Sequence, residues 1–201
     1  MIRVLIAEDQ DLVRGALAAL LSLERDIEIV DQVGRGDEVV RHALQHRPDV
    51  AVLDIEMPGQ DGIEAAAELR RKLPACRVLI LTTFGKPGLM RRAMAAGASG
   101  FMLKDARAEE LAVAIRRTAG GERVVDPQLA AQALSEGDSP LSPRETAVLA
   151  ASSDGSSVVE VAARLHLSEG TVRNHLSAAI QKLSARNRAD AARIAMLKGW
   201  L

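Results

Sequence analysis

Residues 50–54 read Val-Ala-Val-Leu-Asp, a run of four apolar residues that ends in a carboxylate. An uninterrupted apolar run of this length is typical of a strand buried on both faces, as in a parallel sheet covered by helices. In an open α/β sheet the carboxyl ends of the strands face the ligand crevice. The run therefore predicts that the side chain of Asp54 lies at such a crevice.

Three further apolar runs end in polar side chains. They are residues 2–7 before Glu8 and Asp9, residues 78–81 before Thr82, and residues 100–103 before Lys104. Because parallel strands end at the same edge of a sheet, these groups are expected to converge with Asp54. Hard oxygen ligands suit a divalent cation. The sequence therefore predicts Mg²⁺ held by Glu8, Asp9, Asp54 and the backbone carbonyl of Glu56.

Asp54 is predicted to act as a nucleophile in this crevice. With Mg²⁺ offsetting the repulsion between two anions, its carboxylate can attack a phosphoryl group in line and form an acyl phosphate. Lys104 would pair with one phosphoryl oxygen and Thr82 would donate a hydrogen bond to another. Each of these residues also has an ordinary explanation, as a charge at a helix N-terminus or as a strand-end residue. Their joint placement on four strand ends favours the site.

Composition allows two small globular domains of opposite charge. The chain has 201 residues, of which 48% are apolar, and a net charge of −1. Residues 1–138 hold 18 Lys/Arg and 22 Asp/Glu, a net charge of −4, whereas residues 139–201 hold 8 and 5, a net charge of +3. No apolar stretch approaches the roughly 18 residues of a membrane helix, and no signal peptide is recognisable. We therefore expect a cytoplasmic protein without membrane insertion, whose C-terminal part is the better candidate for nucleic-acid binding.

The first part of the chain alternates apolar strands with amphipathic helices. Strands are predicted near residues 2–7, 27–33, 49–54, 77–82 and 100–103, each followed by a helical stretch. Right-handed crossovers make the sheet parallel, with helices on both sides. The predicted fold of residues 1–119 is therefore α/β, a doubly wound five-stranded parallel sheet.

After this domain the strand pattern ends. Gly120-Gly121 stops the fifth helix, and residues 120–138 read as a linker with a short helix that begins at Asp126-Pro127. Residues 139–201 show only helical periodicity, with helices predicted near 142–153, 157–165, 168–184 and 188–198. Ser142-Pro143-Arg144-Glu145 has the sequence of a capping box. The second domain is therefore predicted to be all-α, with four helices.

Four segments resemble the CheY-like receiver domain of two-component response regulators. They are Ala7-Glu8-Asp9-Gln10, Asp54-Ile55-Glu56-Met57-Pro58-Gly59, Leu81-Thr82-Thr83 and Phe101-Met102-Leu103-Lys104-Asp105. The resemblance implies that Asp54 accepts a phosphoryl group from a sensor histidine kinase, and that Glu8 and Asp9 bind Mg²⁺. It further implies that Thr82 and Lys104 hold the phosphoryl group while Phe101 turns inward as a switch; a plain core role for Phe101 stays equally open.

Two residues depart from the usual receiver pattern. Glu8 stands where Asp is commoner, which lengthens the arm by one methylene. Asp105 follows Lys104 where many receivers have a proline after a cis bond. A cis bond before a non-proline residue costs about 3 kcal/mol, so we do not expect one here.

The C-terminal domain contains a predicted helix-turn-helix. Residues 158–165 form one short helix, and His166-Leu167-Ser168-Glu169 connect it tightly to a second, for which Ser168 is the cap. Apolar residues along the second helix face the core and leave Arg173, Asn174, Ser177 and Lys182 exposed. In this motif the second helix lies in the major groove of DNA.

Three segments resemble the LuxR-type output domain of the NarL/FixJ class of response regulators. They are Ser142-Pro143-Arg144-Glu145, Val161-Ala162 and residues 167–176. The resemblance implies that Arg173, Asn174 and Ser177 read bases or contact phosphates, while Thr171, Lys182 and Arg188 grip the DNA backbone. A solvated charge at a helix start is the alternative for Arg188. Ser177 stands where a basic residue is frequent, which predicts fewer phosphate contacts and more reliance on dimerisation.

The predicted function is a DNA-binding transcriptional response regulator. Phosphorylation of Asp54 is expected to promote homodimerisation, and the dimer to bind double-stranded promoter DNA. One alternative is a regulator that binds DNA independently of phosphorylation. Another is an aspartyl-phosphate phosphatase of the haloacid-dehalogenase type, which is disfavoured because Glu56 stands where that class needs a second Asp. The motifs around Asp54 and Thr82 also resemble the subgroup of fatty-acid desaturation regulators that respond to membrane fluidity.

Overall fold

The computed structural model describes residues 1–83, 87–127, 129–131 and 139–201. The chain divides into two compact units, residues 1–85 with 90–131 and residues 132–201 with 86–89. None of the described helices is both long enough and apolar enough to cross a membrane.

The first unit is built on a parallel sheet of six strands among the described residues. The strands are β1 Ile2–Ala7, β2 Ile27–Val33, β3 Val50–Leu53, β4 Arg77–Thr82, β5 Gly100–Leu103 and β6 Val124–Val125. Their order in the sheet is β2-β1-β3-β4-β5-β6, and every neighbouring pair is parallel. The prediction of a parallel α/β sheet is confirmed, with Asp54 placed one residue beyond β3.

The sheet has one strand more than the five that were predicted. β6 pairs with Gly100 and Phe101 of β5, within the segment predicted to be a linker. Strand prediction relies on apolar runs of four to eight residues. A two-residue strand followed at once by Asp126 and Pro127 gives no such run. Beyond β6, residues 127 and 129–131 are helical, and the rest of the predicted linker helix lies outside the described residues.

Five helices connect or follow the first five strands. They are α1 Asp11–Leu21, α2 Gly36–His46, α3 Gly62–Lys72, α4 Pro87–Ala96 and α5 Ala108–Ala119. One face of the sheet forms a buried core with α1 and α5 that includes Val4, Ile6, Val50, Val52 and Leu79. Helices α2 and α3 contact each other and the strands. Because successive strand residues point to opposite faces, burial on both sides produces the continuous apolar runs of β1, β3 and β4.

The second unit is helical over its described residues. Its helices are α6 Pro143–Ala151, α7 Val158–Leu165, α8 Glu169–Lys182 and α9 Arg188–Leu197. Each begins at a polar cap; in the capping box of α6, the Ser142 N–H donates to Glu145 Oε2 at 2.7 Å. Val148, Val161, Val172 and Ala191 are fully buried in a common core. The predicted all-α domain of four helices is confirmed.

The connection between α7 and α8 has the geometry of a tight helical turn. His166 ends α7 in the left-handed region with φ of 53°, and Ser168 caps α8 by accepting a hydrogen bond from the Thr171 N–H at 3.1 Å. A left-handed residue after a helix satisfies its last carbonyls and reverses the chain. The turn therefore presents α8 as the second helix of a helix-turn-helix.

Candidate functional site

The strand ends of the first unit bring three predicted polar residues together. Glu8 follows β1, and its N–H donates to Val33 O of β2 at 3.0 Å, while the N–H of Asp54 donates to Ala7 O at 2.9 Å. On the other side, the Lys104 N–H donates to Thr82 O at 2.8 Å. These backbone bonds extend the sheet by one residue at each strand end. The functional side chains are therefore fixed by the sheet itself.

Lys104 joins the two buried carboxylates. Its Nζ lies 2.6 Å from Glu8 Oε2 and 3.0 Å from Asp54 Oδ2. Glu8 is 1% exposed and Asp54 5% exposed. The second oxygen of Asp54, Oδ1, accepts a hydrogen bond from the Ile55 N–H at 2.8 Å. Two carboxylates and one amine thus form a single hydrogen-bonded group at the edge of the sheet.

Burial and hydrogen bonding have opposite effects on the pKa values of Glu8 and Lys104. Burial raises the pKa of the Glu8 carboxyl, and the hydrogen bond from Lys104 offsets only part of that effect. For Lys104, burial lowers the pKa, but the hydrogen bonds to Glu8 and Asp54 outweigh it and leave the pKa raised. Lys104 is therefore cationic at neutral pH, and it is held next to the oxygen atoms of Asp54.

The third acid, Asp9, completes a potential cation site. Glu8, Asp9 and Asp54 each offer a carboxylate oxygen, and these three atoms lie within 4.8 Å of one another. The side chain of Asp9 is exposed, so the cluster opens to solvent on that side. Hard oxygen donors at this spacing fit Mg²⁺, which retains several waters in protein sites. Glu56 also lies at the rim with an exposed side chain, and the assignment of its carbonyl as a ligand stays a prediction.

The other predicted residues of this site are in the expected places. Thr82 ends β4 and is 1% exposed, adjacent in the sheet to the strand that carries Lys104. Phe101 is fully buried on β5 and pairs with Ile80, as a core aromatic would. Whether it moves inward as a switch stays a prediction. The peptide bond between Lys104 and Asp105 is trans, as expected.

Two residues that support the site were missed in the sequence analysis. Arg14 of α1 donates from Nη1 to the Glu8 carbonyl oxygen at 2.6 Å, which fixes the loop after β1. Gly62 begins α3 against the backbone of Asp54, where an added Cβ would lie 1.9 Å from Asp54 O. Only glycine permits this approach. The sequence did contain a signal for Gly62. Asp61 directly before it is a helix-capping residue, and it caps α3 in the structure.

The candidate nucleic-acid surface lies on α8. Arg173, Asn174 and Ser177 are exposed on one side of the helix, at the spacing of successive turns. Arg173 forms an ion pair with Glu169 one turn earlier, at 2.6 Å. Thr171 hydrogen-bonds the cap residue Ser168 with 2.8 Å between their hydroxyl oxygens. An exposed face with amide, hydroxyl and guanidinium groups can donate to and accept from base edges and phosphates.

Lys182 and Arg188 have partners inside the domain. Lys182 Nζ lies 2.8 Å from Oε2 of Glu145, which is 7% exposed. Arg188 donates from Nη1 to Ser156 O at 2.8 Å and from Nη2 to Gly155 O at 3.3 Å. The prediction took both cations as DNA-backbone contacts and did not foresee these pairings. Sequence spacing could not show them, because Glu145 and Lys182 are 37 positions apart.

Both units match known families. Residues 4–116 match the family described as response regulator receiver domain, and residues 139–195 match that described as bacterial regulatory proteins, luxR family.

Relatives of similar length share both units. In Bacillus subtilis (strain 168), the uncharacterized transcriptional regulatory protein YvfU is 44% identical over 100% of both chains. The transcriptional regulatory protein DesR of the same organism is also 44% identical, over 100% of this chain and 99% of that protein. The crystal structure of response regulator ChrA in a heme-sensing two-component system is 34% identical, with a TM-score of 0.59 over 100% of this chain and 98% of that chain.

Proposed function

This chain belongs to the response regulators that join a receiver domain to a LuxR-type DNA-binding domain, as the sequence predicted, and on that basis we propose that Asp54 is its phosphoacceptor. A DNA-binding transcriptional regulator of this family is controlled through its receiver. The observation that carries the proposal is the position of Lys104 Nζ, which lies 3.0 Å from Asp54 Oδ2 at the carboxyl edge of the sheet. The proposed division is a receiver at 1–119, a linker at 120–138 and a DNA-binding domain at 139–201.

Asp54 takes the phosphoryl group from a phosphohistidine of a sensor histidine kinase. Its carboxylate oxygen forms the new bond to phosphorus as the phosphorus–nitrogen bond to the kinase histidine breaks, and the electron pair returns to that imidazole. Lys104 then pairs with a phosphoryl oxygen, and the Thr82 hydroxyl donates to another. Thr82 ends β4, the neighbour of the strand that Asp54 follows, and Lys104 Nζ already lies 3.0 Å from Asp54 Oδ2, so small side-chain movements suffice.

The acidic cluster would hold Mg²⁺ through Glu8, Asp9, Asp54 and the Glu56 carbonyl. The three carboxylates lie close enough for one ion. When bound, Mg²⁺ supplies positive charge between the anionic nucleophile and the anionic phosphoryl group. Glu8 Oε2 contacts Lys104 Nζ at 2.6 Å, so a bound ion would compete with Lys104 for this carboxylate and would favour contact of Lys104 with the phosphoryl oxygens.

The output of phosphorylation is a homodimer that binds promoter DNA. A phosphoryl group brings a charge of about −1.5 to −2, which draws Thr82 and Lys104 toward it and alters the surface around β4 and β5. Two helix-turn-helix motifs held together bind two half-sites far more tightly than one motif binds one. Arg173, Asn174, Ser177 and Thr171 are the proposed DNA contacts on and beside α8.

The sequence left two alternative functions open, a phosphatase and a regulator that binds DNA independently of phosphorylation. A haloacid-dehalogenase-type phosphatase needs a second Asp two residues after the nucleophile, where this chain has Glu56. We propose a cytoplasmic regulator whose only turnover is slow loss of its own phosphoryl group. A phosphorylation-independent regulator would bind its DNA equally well with and without a phosphodonor. The resemblance to the subgroup of fatty-acid desaturation regulators stays a prediction.

The test is phosphorylation of the full chain by acetyl phosphate with MgCl₂, read by intact mass. We expect one phosphoryl adduct on the wild type and none on Asp54→Asn. Asp11→Asn is the matched control, because Asp11 is a 90% exposed carboxylate beside the site. It should be phosphorylated like the wild type. An adduct of equal yield on Asp54→Asn would contradict the proposal.

A further inference from the structure

Two histidines and an aspartate form a second cluster of potential metal ligands in the first unit. His42 and His46 stand one turn apart on α2, with stacked rings whose centroids are 6.4 Å apart. Nδ1 of His42 lies 2.5 Å from Oδ2 of Asp31, and Nε2 of His46 lies 3.3 Å from the same oxygen. None of the three belongs to the acidic cluster around Asp54.

A β-bulge directs Asp31 to this position. Ile29 of β2 pairs with Val4 of β1, but the next residue of β1, Leu5, pairs with Asp31, so Val30 is an extra residue. Ile29 packs on the face of the sheet that carries α1 and α5. Because side chains alternate between faces, a regular strand would place Asp31 on that face too. The bulge reverses this and brings Asp31 to α2.

We propose that Asp31, His42 and His46 bind a divalent transition metal ion of the zinc type. Imidazole nitrogens and carboxylate oxygens bind zinc at about 2.0–2.2 Å, so tetrahedral ligand atoms lie about 3.4 Å apart. One ligand atom from each of the three residues lies within 4.8 Å of the others. The 3.3 Å distance between Nε2 of His46 and Oδ2 of Asp31 already matches the spacing of two zinc ligands. The contact between Nδ1 of His42 and Oδ2 of Asp31 would have to lengthen by about 1 Å to admit an ion between them.

The chemistry of the ligands suits zinc better than Mg²⁺. Zinc binds imidazole nitrogens together with carboxylate oxygens, whereas Mg²⁺ prefers oxygen ligands. The side chains are 20%, 23% and 32% exposed, so an ion has access and a water can take the fourth position. The site joins the edge strand β2 to α2.

The experiment is calorimetric titration of ZnCl₂ into the full chain with excess MgCl₂, which occupies the acidic cluster. We expect one zinc per chain, with affinity at least tenfold weaker in His42→Gln, His46→Gln and Asp31→Asn, since even the loss of an outer-shell partner costs tenfold or more. Co²⁺ in place of zinc should give the visible bands of a four-coordinate ion in the wild type and not in these three variants. His175→Gln is the matched control, since it removes a histidine on α8 and should leave the binding unchanged.

His46→Gln keeps the test valid if other variants unfold, because His46 makes the longer of the two contacts with Asp31. Far-UV circular dichroism confirms the fold of each variant. Absence of a stoichiometric zinc site in the wild type overturns the proposal, and so does wild-type affinity in a folded His46→Gln. Either result would leave the three side chains as a hydrogen-bonded cluster only.

Discussion

Lys104 is the residue on which the buried charges of the receiver depend. It is 11% exposed at its side chain and is the cation that contacts both Glu8 and Asp54. Burying two carboxylates without a partner is costly, because charged groups lose their hydration. The same amine that is proposed to bind the phosphoryl group therefore also stabilises the unphosphorylated protein.

Replacing Lys104 by methionine tests this double role. We expect Lys104→Met to lower the free energy of unfolding by about 3 kcal/mol in the absence of Mg²⁺, as removal of one partner of a buried ion pair does. Addition of MgCl₂ should restore part of the loss, because the ion replaces the missing positive charge. The measurement is urea denaturation with and without MgCl₂.

Lys72→Met is the matched control for that experiment. Lys72 pairs with Glu68 at 2.6 Å, but its side chain is 54% exposed, and exposed pairs contribute at most about 1 kcal/mol. Equal losses in the two variants, or no response of Lys104→Met to MgCl₂, would contradict the role given to Lys104.

At the residue scale, the sequence could predict which side chains meet but not how they pair. Strand ends in a parallel sheet must share an edge, so the convergence of Glu8, Asp54 and Lys104 followed from the three apolar runs that precede them. The contact between Glu8 and Lys104 did not follow, because it depends on the extra methylene of Glu8 and on side-chain rotamers. The roles of Arg14 and Gly62 likewise depend on loop geometry that has no periodic signal.

At the scale of elements, α8 combines residues that face solvent with residues that hold the domain together. Arg173 is exposed, and within the described part of the chain its ion pair is with Glu169 of its own helix. Lys182 reaches back to Glu145, which is also part of the capping box of α6. The two cations of the helix should therefore respond differently to removal.

We expect Arg173→Ala to weaken DNA binding and Lys182→Ala to weaken the fold. Loss of one bidentate base contact costs about 1–3 kcal/mol of binding, at least about fivefold in affinity, while stability changes little. Lys182→Ala should lower the free energy of unfolding by about 1 kcal/mol, since a partly exposed charged hydrogen bond is lost. Fluorescence anisotropy with duplex DNA and urea denaturation measure the two effects. If instead Lys182→Ala weakened DNA binding and Arg173→Ala lowered the stability, Lys182 would be the DNA contact.

The effect of Lys182→Ala should depend on pH. The hydrogen bond from Lys182 lowers the pKa of Glu145 in the folded protein. A carboxyl with a lowered folded pKa contributes stability above its unfolded pKa, and that contribution is lost as the pH falls through the folded value. The difference in stability between Lys182→Ala and the wild type should therefore be largest near neutral pH and shrink in acid.

The elements themselves were largely predictable, and the exceptions have identifiable causes. Apolar runs marked β1, β3 and β4 because burial on both faces makes them continuously apolar, and cap residues such as Ser142 and Ser168 marked helix starts. β6 was missed because two residues are too short a run. The bulge at Val30 was also invisible, since an inserted residue in an edge strand changes the side-chain parity without changing the composition.

At the scale of the whole molecule, the chain joins a receiver domain to a LuxR-type DNA-binding domain in a separate unit. The two families matched at residues 4–116 and 139–195 account for most of the sequence. Their order along the chain was predictable from the change from alternating strands and helices to helices alone. The surface of the proposed dimer was not predictable, because one sequence carries no pattern that marks such a surface.

The most direct test of the central claim compares wild type and Asp54→Asn with and without acetyl phosphate and MgCl₂. The measurements are light scattering after size exclusion and affinity for a duplex that the phosphorylated wild type selects from random-sequence DNA. We expect the treated wild type to become dimeric and to bind about a hundredfold more tightly, as bivalency allows. Asp54→Asn should stay monomeric and bind weakly under both conditions. Dimerisation of Asp54→Asn like the wild type, or a wild-type affinity that does not respond to the phosphodonor, would contradict the proposed switch.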